Sequence, residues 1–180
     1  MEENNGTRPI TPVTQYAGNY VYKNNNLEFF NHAEGYVTPD NSGNFKYTYQ
    51  YKDHLDNIRL SYKKSGSNAV IVSEKNYYPF GLKHKGYNTS SSSHLAEKKG
   101  FISAELQEEN NLNWYDVTAR NYAPALGRWM NLDPLAEKMR RHSPYNFAFN
   151  NPILFTDPDG MAPREGGIDW SGHNKYYDKK

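Results

Sequence analysis

The chain of 180 residues contains no cysteine, which excludes a disulfide framework and any thiolate-based metal or nucleophilic site. Aliphatic residues are also scarce: only 36% of residues are hydrophobic and the mean hydropathy is −0.99. No apolar run approaches the roughly 20 residues that a membrane helix needs. The net charge is +1, with 21 basic and 20 acidic residues mixed along the chain. No general field therefore exists to attract nucleic acid or an anionic membrane.

The amino terminus lacks the features of a secretory signal. Its sequence, MEENNGTRPITPVTQ, has no basic segment followed by an apolar core. Because this stretch is polar, poor in aromatics and carries two prolines, it predicts a flexible leader over residues 1–15.

Aromatic residues take the place of the scarce aliphatic residues as apolar side chains, since the chain has 16 Tyr, 8 Phe and 3 Trp. Aromatic residues favour β-strands, and the Tyr hydroxyl and the Trp indole N–H usually contact a hydrogen-bond partner or solvent. The sequence therefore predicts a mainly β fold of antiparallel hairpins with one or two short helices. Five segments have strand character: 18–22, 27–30, 45–51, 58–62 and 69–72. Within 45–51, ring and polar residues alternate strictly, which puts four rings on one sheet face.

The composition divides the chain further along its length. Residues 16–87 carry the strand pattern, residues 88–100 (NTSSSSHLAEKKG) form a Ser-rich loop or linker, and the aromatic signal resumes over 101–161. Residues 162–180 form a short, Gly-rich tail. A short helix is predicted over 134–141, because Asp133 is a favoured N-cap and Pro134 suits the first helical position.

Two Asp-Pro steps stand out in the region 113–161, at Asp133 and Asp157. A pair of close carboxylates can divide the work of peptide hydrolysis, one ionised to activate water and one protonated to polarise the carbonyl. An arginine beside them would lower a carboxylate pKa or steady an oxyanion, and Arg120 and Arg128 are the candidates. Each aspartate also has a purely structural interpretation, because Asp133 can be an N-cap and the sequence DPDG at 157–160 is a turn signal.

Four segments in one order resemble the Rhs repeat-associated core domain, in a version similar to that of Bacteroidetes-type proteins. They are YKDHLDNIRLSY (51–62), NYYPFGLKHKGYN (76–88), ELQEENNLNWYDVTARNYAPALGRWMNLDPLAE (105–137) and SPYNFAFNNPILFTDPDGM (143–161). The most specific part runs from Arg120 through Gly127, Arg128 and Trp129 to Asp133. A second specific part runs over 145–161.

This resemblance implies a hollow β-shell of YD repeats, with the core domain as a plug that closes one end. It further implies that the core acts as an aspartic autoprotease, in which Asp133 and Asp157 match the two catalytic aspartates and Arg120 matches the adjacent arginine. The boundary motif is matched over 152–161, so scission is expected between Met161 and Ala162. The turn and structural positions of the motif are Gly127, Arg128, Pro152, Pro158 and Gly160.

The resemblance also indicates the partners. They are the upstream YD-repeat shell and a C-terminal toxin segment, with no nucleic acid, no membrane span, no cofactor and no metal. Residues 162–180 are too few to fold as a toxin domain, so this copy is expected to be truncated. The polar residues of that tail, such as His173, are interpreted as a solvent-exposed end and not as a nuclease site. A secreted or cell-surface location is implied by the family.

Three positions depart from the family pattern: Asp56 replaces the usual Gly of a DHLGN turn, Ala123 replaces an Asp before the proline, and Ser103-Ala104 replaces Gly-Lys. Two alternative functions remain open. One is a non-catalytic β-rich module that binds carbohydrate or protein at the cell surface. The other is a calcium site at Asp157 and Asp159, although the loop lacks the remaining acidic ligands of an EF-hand.

Overall fold

The computed structural model describes residues 13–86, 88–90 and 94–166. Among these residues the regular structure consists of antiparallel strands and five short 3-10 helices, with no α-helix. The chain divides into two compact units, residues 1–49 and residues 50–180. The mainly β antiparallel fold predicted from the sequence is thereby confirmed.

The first unit is a meander of antiparallel strands, each hydrogen-bonded to the next along the chain. The strands are β1 (Thr14–Ala17), β2 (Tyr20–Lys23), β3 (Asn26–His32), β4 (Gly35–Pro39) and β5 (Phe45–Lys52), of which β5 continues past the unit boundary. Buried Val21, Phe29, Tyr36 and Val37 form the core of this unit. The alternation at 45–51 produces the expected faces, because Phe45 remains about half exposed at 52% while Thr48 is buried at 4%.

The second unit holds the remaining strands, also paired antiparallel. They are β6 (Ile58–Ser65), β7 (Asn68–Glu74), β8 (Thr89–Ser90), β9 (Glu105–Gln107), β10 (Trp114–Val117), β11 (Arg120–Ala123), β12 (Arg128–Trp129), β13 (Phe155–Thr156) and β14 (Arg164–Glu165). Strands β6, β7 and β8 follow one another in sheet order. A four-stranded sheet has the order β12-β11-β10-β9, and β13 pairs with β14. The 3-10 helices are Leu95–Lys98, Phe101–Ser103, Glu109–Asn111, Ala136–Lys138 and Ala148–Asn150.

Rings dominate the core of the second unit. Tyr122 is fully buried, and its ring contacts three other rings. The distances between ring centroids are 4.3 Å to Phe147, 5.4 Å to Trp129 and 5.8 Å to Phe101. Its hydroxyl donates a hydrogen bond to the Phe80 carbonyl at 2.8 Å. The core therefore packs aromatic faces and satisfies the polar edge of Tyr122, as a Tyr-rich interior requires.

Several predicted segments differ from what the structure contains. The short helix predicted over 134–141 is wrong as an α-helix, because only Ala136–Lys138 is helical and it is a 3-10 turn. A helix this short forms too few hydrogen bonds to offset the cost of nucleation. Of the predicted leader, residues 1–12 lie outside the described residues, whereas Thr14 begins β1. The Ser-rich segment 88–100 contains β8 and the helix Leu95–Lys98 in its described part.

Candidate functional site

The site is built around Arg120, the first residue of β11. Strand alternation points Arg120 and Tyr122 to the same side, and the Arg120 side chain is completely buried at 0% exposure. Its guanidinium lies over the Trp129 ring, 4.4 Å from the centroid, which is a cation-π contact. Nε donates to the Gly160 carbonyl at 2.5 Å and Nη1 donates to the Pro144 carbonyl at 3.2 Å. The position of the guanidinium is thus fixed by one cation-π contact and two hydrogen bonds to backbone carbonyls.

Both predicted catalytic aspartates contact this guanidinium. Nη1 of Arg120 lies 3.1 Å from Oδ2 of Asp133, and Nη2 lies 3.0 Å from Oδ2 of Asp157. Asp157 is fully buried and Asp133 is 6% exposed, so both carboxylates depend on the arginine for charge compensation. The structure thereby brings together three residues that lie up to 37 positions apart in the sequence.

The Asp133 carboxylate is also a turn cap. Its Oδ1 accepts a hydrogen bond from the Leu135 backbone N–H at 2.6 Å, and the Asp133 N–H donates to the Pro144 carbonyl at 3.1 Å. One oxygen of Asp133 thus closes a local turn while the other contacts Arg120. The predicted helix N-cap at Asp133 is not formed, because the short helix Ala136–Lys138 follows Leu135 and has no side-chain cap.

Asp157 has the perturbed acidity in this site. Burial raises the pKa of its carboxyl to about 6, against the lowering effect of Arg120 and with a further raising contribution from Asp159. A carboxyl with a pKa of about 6 is about half protonated at pH 6 and about one tenth protonated at pH 7. Asp157 is therefore suited to donate a proton, which is the role that an ordinary surface aspartate cannot fill.

The predicted cleavage boundary lies directly against Asp157. The Met161 N–H donates to Oδ1 of Asp157 and to Oδ1 of Asp159, at 3.0 Å in each case. Gly160 has a positive φ of +72°, and a Cβ there would lie 3.1 Å from the Val117 carbonyl. Since this backbone conformation and close approach both favour glycine, Gly160 lets the turn 157–161 lie against the β10–β11 hairpin.

A small, partly open pocket adjoins Asp133, and its lining includes Asp133, Pro144 and Pro163. Its volume of about 10 Å³ is at the lower limit of what a single water molecule needs. Met161 and Ala162 are exposed to solvent. Water can therefore reach this part of the chain.

The remaining motif residues have structural positions. Gly127 has φ +65° and packs so closely on Phe80 that a Cβ would lie 2.9 Å from the ring. Arg128 is exposed on β12, which leaves Arg120 as the arginine of the site. Pro152 is buried. Pro158, which directly follows Asp157, is half-buried.

A second buried charge cluster was not anticipated from the sequence. Nζ of Lys75 lies 3.2 Å from Oε2 of Glu97 and donates to the Glu97 and Lys99 carbonyls, both at 2.6 Å. The Ser61 and Ser73 hydroxyls also donate to that Glu97 oxygen. All of these partners except Lys99 are buried. No sequence motif predicts this cluster, because Lys75 lies at the end of a strand segment and Glu97 lies in the Ser-rich segment.

The described residues contain neither a metal-binding cluster nor a membrane-spanning helix. Across 13–86, 88–90 and 94–166, no group of three or more His, Asp or Glu side chains is arranged to hold a metal ion. Nor does any helix in this described part have the length and hydropathy to cross a membrane. The tail residue His173 lies outside the described residues.

Comparison with known proteins gives consistent matches. No family model matches the sequence. The chain is 32% identical over 118 residues to salivary gland surface protein 1 of Aedes aegypti and 33% identical over 123 residues to toxin subunit YenC2 of Yersinia entomophaga. Toxin subunit YenC1 of the same organism is 28% identical over 125 residues. These alignments cover 66%, 64% and 69% of this chain. The chain spans only 3% of the first relative and 12% of each toxin subunit.

Solved structures share the fold. The crystal structure of TcdB2-TccC3-TEV matches with a TM-score of 0.62 and 21% identity over 83% of this chain and 8% of that chain. The structure of TcdB2-TccC3 without its hypervariable C-terminal region matches over the same shares with a TM-score of 0.60. This chain is therefore similar in sequence to one region of the YenC toxin subunits, and it shares the mainly antiparallel β fold of the matching region of TcdB2-TccC3.

Proposed function

We propose that this region closes the shell of a toxin-type Rhs protein and cuts its own chain between Met161 and Ala162. The cut would separate the segment after residue 161 from the shell, in a single intramolecular turnover. The observation that carries the proposal is the buried bridge Asp133–Arg120–Asp157 beside the turn that ends at Met161. The partial match to toxin subunits supports the setting in which such a release is useful.

The chemistry divides between the two carboxylates. Asp133, compensated by Arg120, is the ionised base that takes a proton from water in the adjacent pocket. The water oxygen forms a bond to the Met161 carbonyl carbon, and the oxyanion receives a proton from Asp157. When the tetrahedral intermediate collapses, the bond to the Ala162 nitrogen breaks, Asp133 gives the proton it took from water to this nitrogen, and Asp157 takes its proton back from the diol. The products are a carboxyl group on Met161 and a free amine on Ala162.

Arg120 acts by charge and by position. Its Nε and Nη atoms are engaged by two backbone carbonyls and two carboxylates, so the guanidinium orients the acid, the base and the Gly160 carbonyl together. A planar, permanently charged fork suits this task because its donors keep a fixed geometry. Lysine would place one charge there without the fork.

The test is intact mass spectrometry of the full chain carrying a tag after Lys180. We expect loss of a fragment that begins at Ala162 in the parent, and retention of full mass in Asp133→Asn and Asp157→Asn. Asp116→Asn is the matched control, because Asp116 is an exposed carboxylate on β10 and outside the site. The incubation is kept near neutral pH, since Asp-Pro bonds are labile in acid.

Three results would contradict self-cleavage. One is a parent that keeps its full mass, and another is a cut at a position other than 161–162. The third is equal cleavage in the parent and in both site variants, which would assign the scission to chemical lability or to a contaminating protease. In the expected pattern the Asp116→Asn control cleaves at the parent rate.

A non-catalytic binding module is the second candidate, favoured by the exposed rings of the first unit. Tyr20, Phe45 and Tyr47 are each about half exposed. The neighbouring rings of Tyr20 and Phe30 are tilted by 38°, and those of Phe30 and Phe45 by 76°. Because these rings do not share a plane, they suit a polypeptide partner better than the flat face of a sugar. This function predicts a partner-dependent rise in melting temperature and an unchanged mass.

A further inference from the structure

We propose that Asp159 is a positioning residue, which holds the Met161–Ala162 bond against Asp157 by sharing the Met161 N–H. This inference rests on the proposed self-cleavage. Asp159 lies in the variable position of the turn, and the sequence had suggested for it only a turn or a calcium ligand. The geometry assigns it a different part.

The contact geometry comes from two equal hydrogen bonds. Oδ1 of Asp159 and Oδ1 of Asp157 each accept from the Met161 N–H at 3.0 Å. The carbonyl carbon of Met161 lies about 2.5 Å from its own nitrogen by standard bond lengths. Both oxygens are therefore within about 5.5 Å of the carbon that water attacks.

The backbone around Asp159 is held in place independently of its side chain. The Asp159 carbonyl accepts from the Ala119 N–H at 3.2 Å, and the Gly160 carbonyl accepts from Nε of Arg120 at 2.5 Å. These two bonds attach the turn to the β10–β11 hairpin. Because the Asp159 side chain is exposed, replacing it leaves the buried packing of the site intact.

Asp159 also acts on Asp157 electrostatically. The charged groups that face Asp157 are Arg120 from β11, Asp159 from its own turn and Asp133 across the guanidinium. Of these, Asp159 adds to the effect of burial in raising the pKa of Asp157, whereas Arg120 lowers it. Removing the Asp159 charge therefore lowers the pKa of Asp157 and moves the cleavage profile to lower pH.

The first measurement uses NMR on the full chain made resistant to cleavage by Asp133→Asn. In that background we compare Asp159 with Asp159→Asn and Asp159→Ala, and follow the carboxyl titration of Asp157 and the amide exchange of Met161. Both variants are expected to lower the pKa of Asp157. Asp159→Ala is also expected to speed Met161 amide exchange by about fivefold to tenfold, the effect of one lost hydrogen bond, while Asp159→Asn retains an acceptor oxygen.

The second measurement is the rate of cleavage against pH in the chain with Asp133 intact. Asp159→Ala is expected to cleave about fivefold to tenfold more slowly, and Asp159→Asn to cleave with its profile displaced to lower pH. A parent that stays intact overturns both self-cleavage and the positioning role. A parent that cleaves, with both Asp159 variants unchanged in titration, amide exchange and cleavage, overturns the positioning role alone.

Discussion

Replacing Arg120 with methionine removes the cation that contacts two buried carboxylates, Asp133 and Asp157. The guanidinium contacts Asp133 at 3.1 Å and Asp157 at 3.0 Å, and its side chain is 0% exposed. Breaking a buried ion pair by removing one partner costs about 3–5 kcal/mol, because the remaining charge is left uncompensated. Methionine keeps an apolar stem beside Trp129, so the loss reports mainly on charge. We expect Arg120→Met to lower the free energy of unfolding by this amount.

The magnitude is large against the roughly 5–15 kcal/mol that stabilises a typical domain. The assay is urea unfolding followed by tryptophan fluorescence. All three tryptophans lie after residue 100 in the sequence, so the signal reports on the second unit. Arg128→Met is the matched control, since Arg128 is an exposed arginine on the adjacent strand. The control should change the free energy of unfolding by less than about 0.5 kcal/mol.

Lowering the pH should reduce the loss in free energy of unfolding that Arg120→Met causes. The guanidinium of Arg120 lowers the pKa of Asp157, so its removal raises this pKa above the value of about 6. At pH 5 this carboxyl is then protonated and carries no charge to compensate, so the defect should shrink by at least about 1 kcal/mol relative to pH 7.5. The reasoning is refuted if Arg120→Met differs from the Arg128→Met control by less than about 1 kcal/mol at pH 7.5. An equal defect at both pH values would refute it as well.

Three further perturbations test the same physical picture in the second unit. Asp56 has φ +68°, so Asp56→Gly should raise the free energy of unfolding by about 1 kcal/mol in a urea titration. Lys75→Met leaves the buried Glu97 without its cation, and should lower that free energy by about 3–5 kcal/mol in the same assay. Because the pKa of Asp157 is raised on folding, its contribution to stability is present below pH 3.8 and is lost as pH rises through about 6. Asp157→Asn should remove that part of the slope of stability against pH; an unchanged slope would contradict the raised pKa.

Local patterns predicted the strands well because strand periodicity is a property of adjacent residues. The alternation at 45–51 set the faces of β5, and the turn signal before Gly160 marked a tight bend. Asp56 at a glycine position of the family pattern does adopt a positive φ. Strand β4 was missed, since Gly35 and Pro39 at its ends resemble turn residues. The catalytic roles of Asp133 and Asp157 stay predictions.

The sequence by itself determined a β-rich aromatic chain, the core signature and the candidate residues, because composition, periodicity and motif order are local or linear properties. Only the tertiary structure decided that Arg120 and not Arg128 is buried against both aspartates. It likewise decided that the Met161 N–H is shared by Asp157 and Asp159. Such contacts join residues from separate strands and turns, and their geometry and the desolvation that shifts acidity arise only when those elements pack together.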